Sequence, residues 1–165
     1  MNPKSIDRKE EVGFITDVKH IILRDVGVLI DELDQIPEEQ LWQTLPGITN
    51  SAGTLIVHLC GNLRHFIGAI LGQDGYKRDR DREFSGEPIS KKEVYHMVRV
   101  TLLALEQAFD KLSPEMLELE MPGTPPHHKG RPVGFFLMQL STHLSRHTGQ
   151  LNYLRRILGF EGRVG

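Results

Sequence analysis

Apolar residues in this chain recur at three- and four-residue intervals through four long stretches, while the alternating, β-branched runs that announce strands are missing. That pattern restricts the fold to packed helices. From Phe14 the residues Val18, Ile21, Ile22, Val28, Leu29, Leu33 and Ile36 carry a first stripe, which Pro37 ends. Asn50-Ser51 offers an N-cap to a second helix bearing Leu55, Leu59, Leu63, Phe66 and Ile70, closed by Gly72 and Gly75. Ser90 and Glu93 form a capping box ahead of Val94, Met97, Val98, Thr101, Leu102, Leu105, Phe109 and Leu112, and Ser113-Pro114 stops the third helix. A fourth stripe, Phe136, Leu140, Leu144, Leu151, Leu154 and Leu158, predicts a helix from about Val133 to Gly159.

These stripes predict an all-α fold, with an up-down four-helix bundle as the simplest packing. The 165 residues suffice for one core and are too few to expect two, so residues 1–165 are expected to form a single domain. Two links, Gln73 to Ile89 and Ser113 to Pro132, exceed the usual loop length and invite a functional explanation.

Lys plus Arg number 20 against 22 Asp plus Glu, a formal charge of −2, which argues against nucleic-acid binding by charge alone. Basic and aromatic residues do not alternate as a base-stacking platform requires. The charged stretch Met1 to Val12 does not read as a signal peptide, and Arg64 with His65 interrupts the longest apolar run, so no membrane span is expected. The lone Cys60 can form no intramolecular disulfide and fits a reducing compartment, so the expected location is cytoplasmic.

His143-Leu-Ser-Arg-His147 places two imidazoles one helical turn apart on a single face, as chelation of one ion requires. The stripe Phe136, Leu140, His143, His147, Leu151, Leu154 puts both on the inward seam. His58 lies in line with Leu55, Asn62, His65 and Ala69, so a third ligand can come from a second helix. Three neutral nitrogen ligands leave an ion with open positions, as in reactive sites, and zinc, nickel or ferrous iron would fit. A histidine on an apolar face is more often a hydrogen-bonded core residue, and spacing does not choose between His58 and His65. Other metal patterns fit poorly. Leu144 stands where a zincin helix carries its Glu, and Glu93-Val-Tyr-His96 is the sole Glu-x-x-His pair, off the buried stripe. His127-His128 sits among Pro and Gly in a loop.

The segment Ser51-Ala-Gly-Thr-Leu-Ile-Val-His58-Leu, together with His143-x-x-x-His147-x-Gly149-Gln150, resembles the DinB-like metal-binding superfamily. The charged run Arg78-Asp-Arg-Asp-Arg-Glu-Phe84 is similar to one subgroup whose members mostly lack an assigned reaction. The resemblance implies a four-helix bundle with a long crossover, frequent homodimers, and a nickel or zinc ion on His58, His143 and His147. It selects His58 over His65. Characterised members of that superfamily include transferases and isomerases that use low-molecular-weight thiols.

The chemistry expected of such a site is attack by a thiol nucleophile on an electrophilic small molecule. Metal-dependent hydrolysis and non-catalytic metal binding are the alternatives. Cys60 should point away from His58 and act as a small buried residue. Asn62 and Gln150 stand near the ligands. Arg78, Arg80 and Arg82 lie in a run that ordinarily forms a solvated loop; their functional reading is a cluster at the cleft mouth that recognises a carboxylate on a thiol cofactor or acceptor.

Overall fold

Local hydrogen bonds set where two of the helices start. The Ser51 side-chain oxygen accepts the Thr54 backbone N–H, and Ser90 and Glu93 form the reciprocal capping box. The computed structural model describes residues 8–161. Among them are five α-helices: α1 (Arg8–Asp34), α2 (Ala52–Leu63), α3 (Arg80–Glu83), α4 (Lys91–Phe109) and α5 (Val133–Glu161). The charged start of the chain, up to Asp7, lies outside the described residues. Short 3-10 turns occur at Glu38–Gln40, Pro114–Glu118 and Pro126–His128, and the described residues contain no strand, only an isolated bridge between Glu120 and Pro132.

Burial follows the helical period. In α1 the buried stripe is Ile15, Val18, Ile22, Val26, Leu29 and Leu33, so Val26 takes the place expected of Val28, which is only half-buried. Val26 lies four residues after Ile22 and three before Leu29, the steps that keep a helix on one face. These residues join Leu55, Leu59, Leu63, Val94, Val98, Leu105, Leu137, Leu144, Leu151 and Leu158 in one contiguous core.

The helices α1 and α2 each pack against both α4 and α5. Their directions follow from paired contacts. Glu32 near the end of α1 accepts from Asn152 and Arg155 on α5, while Phe14 at its start lies beside Gly134, so α1 and α5 run the same way. Lys19 meets Asp110 and Lys91 reaches the Ile36 carbonyl, so α1 and α4 run oppositely. Cys60 meets Thr101 and Gly72 approaches Ala108, so α2 and α4 are parallel. His58 faces His143 and Phe66 stacks on Phe136, so α2 and α5 are antiparallel.

The order is therefore up, down, down, up rather than strict alternation. Parallel neighbours α2 and α4 cannot be joined by a short turn. Residues 72–90 must return along the whole of α2, and that crossover carries α3 over the side of the helix that bears His58.

A second departure from regularity lies in α2 itself. It continues without a break into a π-helix, Arg64–Leu71. Such wide turns are uncommon and occur most often near functional sites. The whole stretch Ala52–Leu71 is long and apolar enough to cross a membrane in spite of Arg64 and His65, but most of it is buried in this structure as a core helix.

Candidate metal centre

His58 stands in the middle of α2, and His143 and His147 stand one turn apart on α5, so the antiparallel packing of the two helices brings the three imidazoles together. Their ring nitrogens all lie within 4.8 Å of one another. Ring centroids are 5.3 Å apart for His58 and His143, 5.5 Å for His58 and His147, and 4.5 Å for His143 and His147. The Nε2 atoms of His143 and His147 are separated by 3.1 Å. Two nitrogens bound to one ion at about 2.1 Å, with an angle of 90–110° between them, stand roughly 3.0–3.4 Å apart. The pair is thus already at the spacing of adjacent ligands.

Each outer nitrogen is treated differently. His147 Nδ1 lies 2.7 Å from Gln150 Oε1 and donates to it, which leaves Nε2 with its lone pair facing inward. His58 Nδ1 lies 3.0 Å from Glu83 Oε2. His143 Nδ1 is buried and makes no hydrogen bond to protein. Gln150 and Glu83 are the kind of partner that orients metal-ligating histidines. The donor set, three imidazole nitrogens within reach of one point, fits a metal ion.

Their surroundings favour the neutral form of His143 and His147, the form that binds metal. Burial, the neighbouring His147 and His58, and the guanidinium groups of Arg146 and Arg78 push His143 down from 6.5 to about 4. Burial also lowers His147, against the opposing pull of its bond to Gln150.

The residue that spacing did not single out is Glu83. It sits in the four-residue helix α3, whose N-cap Asp79 accepts the Arg82 backbone N–H, and it is only 5% exposed. Burial acts to raise its pKa, but hydrogen bonds from Arg78 and then His58 outweigh this and hold it below the usual carboxylate value. Arg78 donates through Nε to Oε1 and through Nη2 to Oε2, both at 2.7 Å. Room for the carboxylate exists because residue 61 is glycine: a Cβ there would lie 2.0 Å from Glu83 Oε1. Phe84 follows on the same turn, its ring 4.7 Å from that of His58.

Residues 13–161 match the family model of DUF1572, described as a protein of unknown function. The chain belongs to the DUF1572 family. Comparison with curated proteins gave no match.

In this DUF1572 chain the three arginines of the crossover do not form one cluster. Arg78 is turned inward, its side chain 12% exposed, because a buried carboxylate needs a countercharge. Arg80 lies over the Phe84 ring at 5.1 Å, and Arg82 lines a cavity of about 410 Å³ with Glu83, Trp42, Tyr76, Ile89 and Met97. His65 is outside the triad and packs edge-on against Phe66, in the π-helical turn that begins one residue earlier. Cys60 faces Thr101, away from the triad, and burial pushes its thiol up to about 12. His127 and His128 stack on each other in a 3-10 turn, apart from the triad. Gln150 also borders a cleft of about 370 Å³ with Ile48, Leu55, Tyr153, Leu154 and Ile157.

Proposed function

We propose that this protein binds one divalent metal ion, nickel, zinc or ferrous iron, through His58, His143 and His147, and that it is a DinB-like metal-dependent transferase acting with a low-molecular-weight thiol. The observation that carries the metal reading is the convergence of three imidazole nitrogens within 4.8 Å, two of them backed by Glu83 and Gln150. An ion held by three neutral ligands supplies Lewis acidity, which lowers the pKa of a thiol and maintains thiolate near neutral pH.

The chain's own residues have complementary tasks. Cys60 is buried and protonated, so the nucleophilic sulfur belongs to the second substrate. His58, His143 and His147 present lone pairs, Phe84 covers one side of His58, and Gln150 fixes the His147 ring. The cleft beside Gln150, walled by Ile48, Leu55, Leu154 and Ile157, suits the apolar part of an electrophile. Thiolate attack there forms a carbon–sulfur bond as the leaving group departs with its electron pair. Arg80 and Arg82 are exposed on the crossover and suit a carboxylate of the thiol, whereas Arg78 is engaged with Glu83.

Hydrolysis at the same ion calls for a base beside the attacking water. The carboxylate brought to the triad, Glu83, is committed to Arg78 and His58, which favours the thiol reaction. A homodimer in a reducing cytoplasm completes the proposal.

The test begins with elemental analysis of purified untagged protein and of the triple variant His58→Ala, His143→Ala, His147→Ala. One ion per wild-type chain and none in the variant is expected; equal content in both overturns the ligand set. Glutathione, bacillithiol and mycothiol are then supplied with a chloro-aromatic electrophile. Turnover that needs both thiol and metal is expected, and turnover independent of thiol would reassign the site to hydrolysis.

A further inference from the structure

Glu83 sits on the link between two helices rather than on either helix that carries a ligand, and the chain accommodates it at some expense elsewhere. Gly61 occupies a helix-interior position where alanine would favour the helix, and it clears the space that Oε1 fills. Arg78, five residues upstream, grips both oxygens of the same carboxylate, through Nε and Nη2.

His58 Nδ1 has two possible partners. Glu83 Oε2 lies at 3.0 Å and can only accept; Arg78 Nη2 lies at 3.4 Å and can only donate. Nη2 has a second N–H to offer, but a bare Nδ1 would meet the Glu83 oxygen lone pair to lone pair at 3.0 Å, so the shorter contact decides. The proton therefore resides on Nδ1, and Nε2 is left as the lone-pair nitrogen.

We infer that Glu83, clamped by Arg78 and admitted by Gly61, is a positioning residue that fixes the tautomer and ring orientation of His58 for metal binding, so that ion affinity and the order of the crossover are linked. The inference rests on the reading of the triad as a metal site. Linkage works in both directions. If the crossover holds His58 in its binding form, an ion on His58 must also hold the crossover.

The experiment titrates zinc against untagged wild-type protein, Glu83→Gln and Glu83→Ala, by competition with a chromophoric chelator. Nitrogen-15 NMR of His58 and amide hydrogen exchange across 79–85 are recorded with and without zinc. Glu83→Gln preserves size and removes the charge, so it remains informative if Glu83→Ala loosens the fold. The expected result is a 10–100-fold loss of zinc affinity in the variants with helix content unchanged. Wild-type His58 should be protonated at Nδ1, and zinc should slow exchange in the crossover of the wild type far more than in the variants. Wild-type affinity in both variants, or a bare Nδ1 accepting from Arg78, overturns the inference while the metal reading stands. A wild-type chain that takes up no zinc, nickel or ferrous iron overturns both, a result separable from the first because it needs no Glu83 variant.

Discussion

At the scale of single residues, Gly61 sets two effects against each other. Alanine at an interior helix position is worth about 0.5–1 kcal/mol over glycine. Here its Cβ would fall 2.0 Å from Glu83 Oε1, forcing a buried, doubly hydrogen-bonded carboxylate to move. Disrupting such a group costs about 1–3 kcal/mol or more, so the second effect wins. Gly61→Ala is expected to lower the urea midpoint by the equivalent of about 1–2 kcal/mol, and a raised midpoint would show that the carboxylate is not held there. The imidazoles carry a second consequence. In the unfolded chain His143 protonates near 6.5, but in the fold it resists protonation to about 4, and His147 is lowered in the same sense. Between those values the unfolded chain binds more protons, so stability is full above about pH 6.5 and is lost as pH falls toward 4. Urea midpoints of metal-free protein measured across that window should decline with falling pH, and His143→Gln should flatten the decline. A variant as steep as the wild type would assign the dependence to other groups.

At the scale of elements, the π-helix from Arg64 to Leu71 lies close against α4. A Cβ at Gly72 would lie 2.7 Å from both Ala108 Cβ and the Gly68 carbonyl oxygen, neither of which is a flexible tip. Gly72→Ala is expected to destabilise by about 1–3 kcal/mol through overpacking. Gly27 in α1 has open space around it, so Gly27→Ala should stabilise by about 0.5–1 kcal/mol. Thermal melts of the two variants should therefore shift in opposite directions: a Gly72→Ala melt that does not fall would contradict the close approach of the π-helix to α4, and a Gly27→Ala melt that falls would contradict the open space at Gly27. These elements also show what a sequence can disclose. Four helices were legible because each repeats its buried residues over several turns and has local end signals in Pro37, Ser51, Ser90 or Pro114. His143 and His147 were legible because they share that periodicity, whereas spacing left His58 and His65 open and only the family resemblance selected His58. The parallel run of α2 and α4 was not, since a stripe fixes which face is buried and not which way its neighbour points. Nor was α3: four residues contain barely one turn, and Arg-Asp-Arg-Glu has the composition of a solvated loop. Gly61, amid the buried residues of α2, was the signal that something approaches its backbone.

At the scale of the whole molecule, the proposed ion joins parts that the chain keeps far apart in sequence. His58 belongs to α2, His143 and His147 to α5, and Glu83 to the crossover, so one bound ion would pin three segments that otherwise meet through side-chain packing. Binding to the native state alone contributes about 2.7 kcal/mol when free metal is a hundredfold above Kd. For a chain of this length each kcal/mol moves the melting temperature by about 2–4 °C, which gives a rise of roughly 5–10 °C. Calorimetry of metal-free wild-type protein, before and after addition of zinc or nickel, should show that rise, and His143→Ala should abolish it. The variant also separates a shared site from incidental surface binding. Ions on scattered carboxylates or on His127 and His128 would stabilise wild type and variant alike, and that outcome would leave the triad as three packed imidazoles rather than a ligand set.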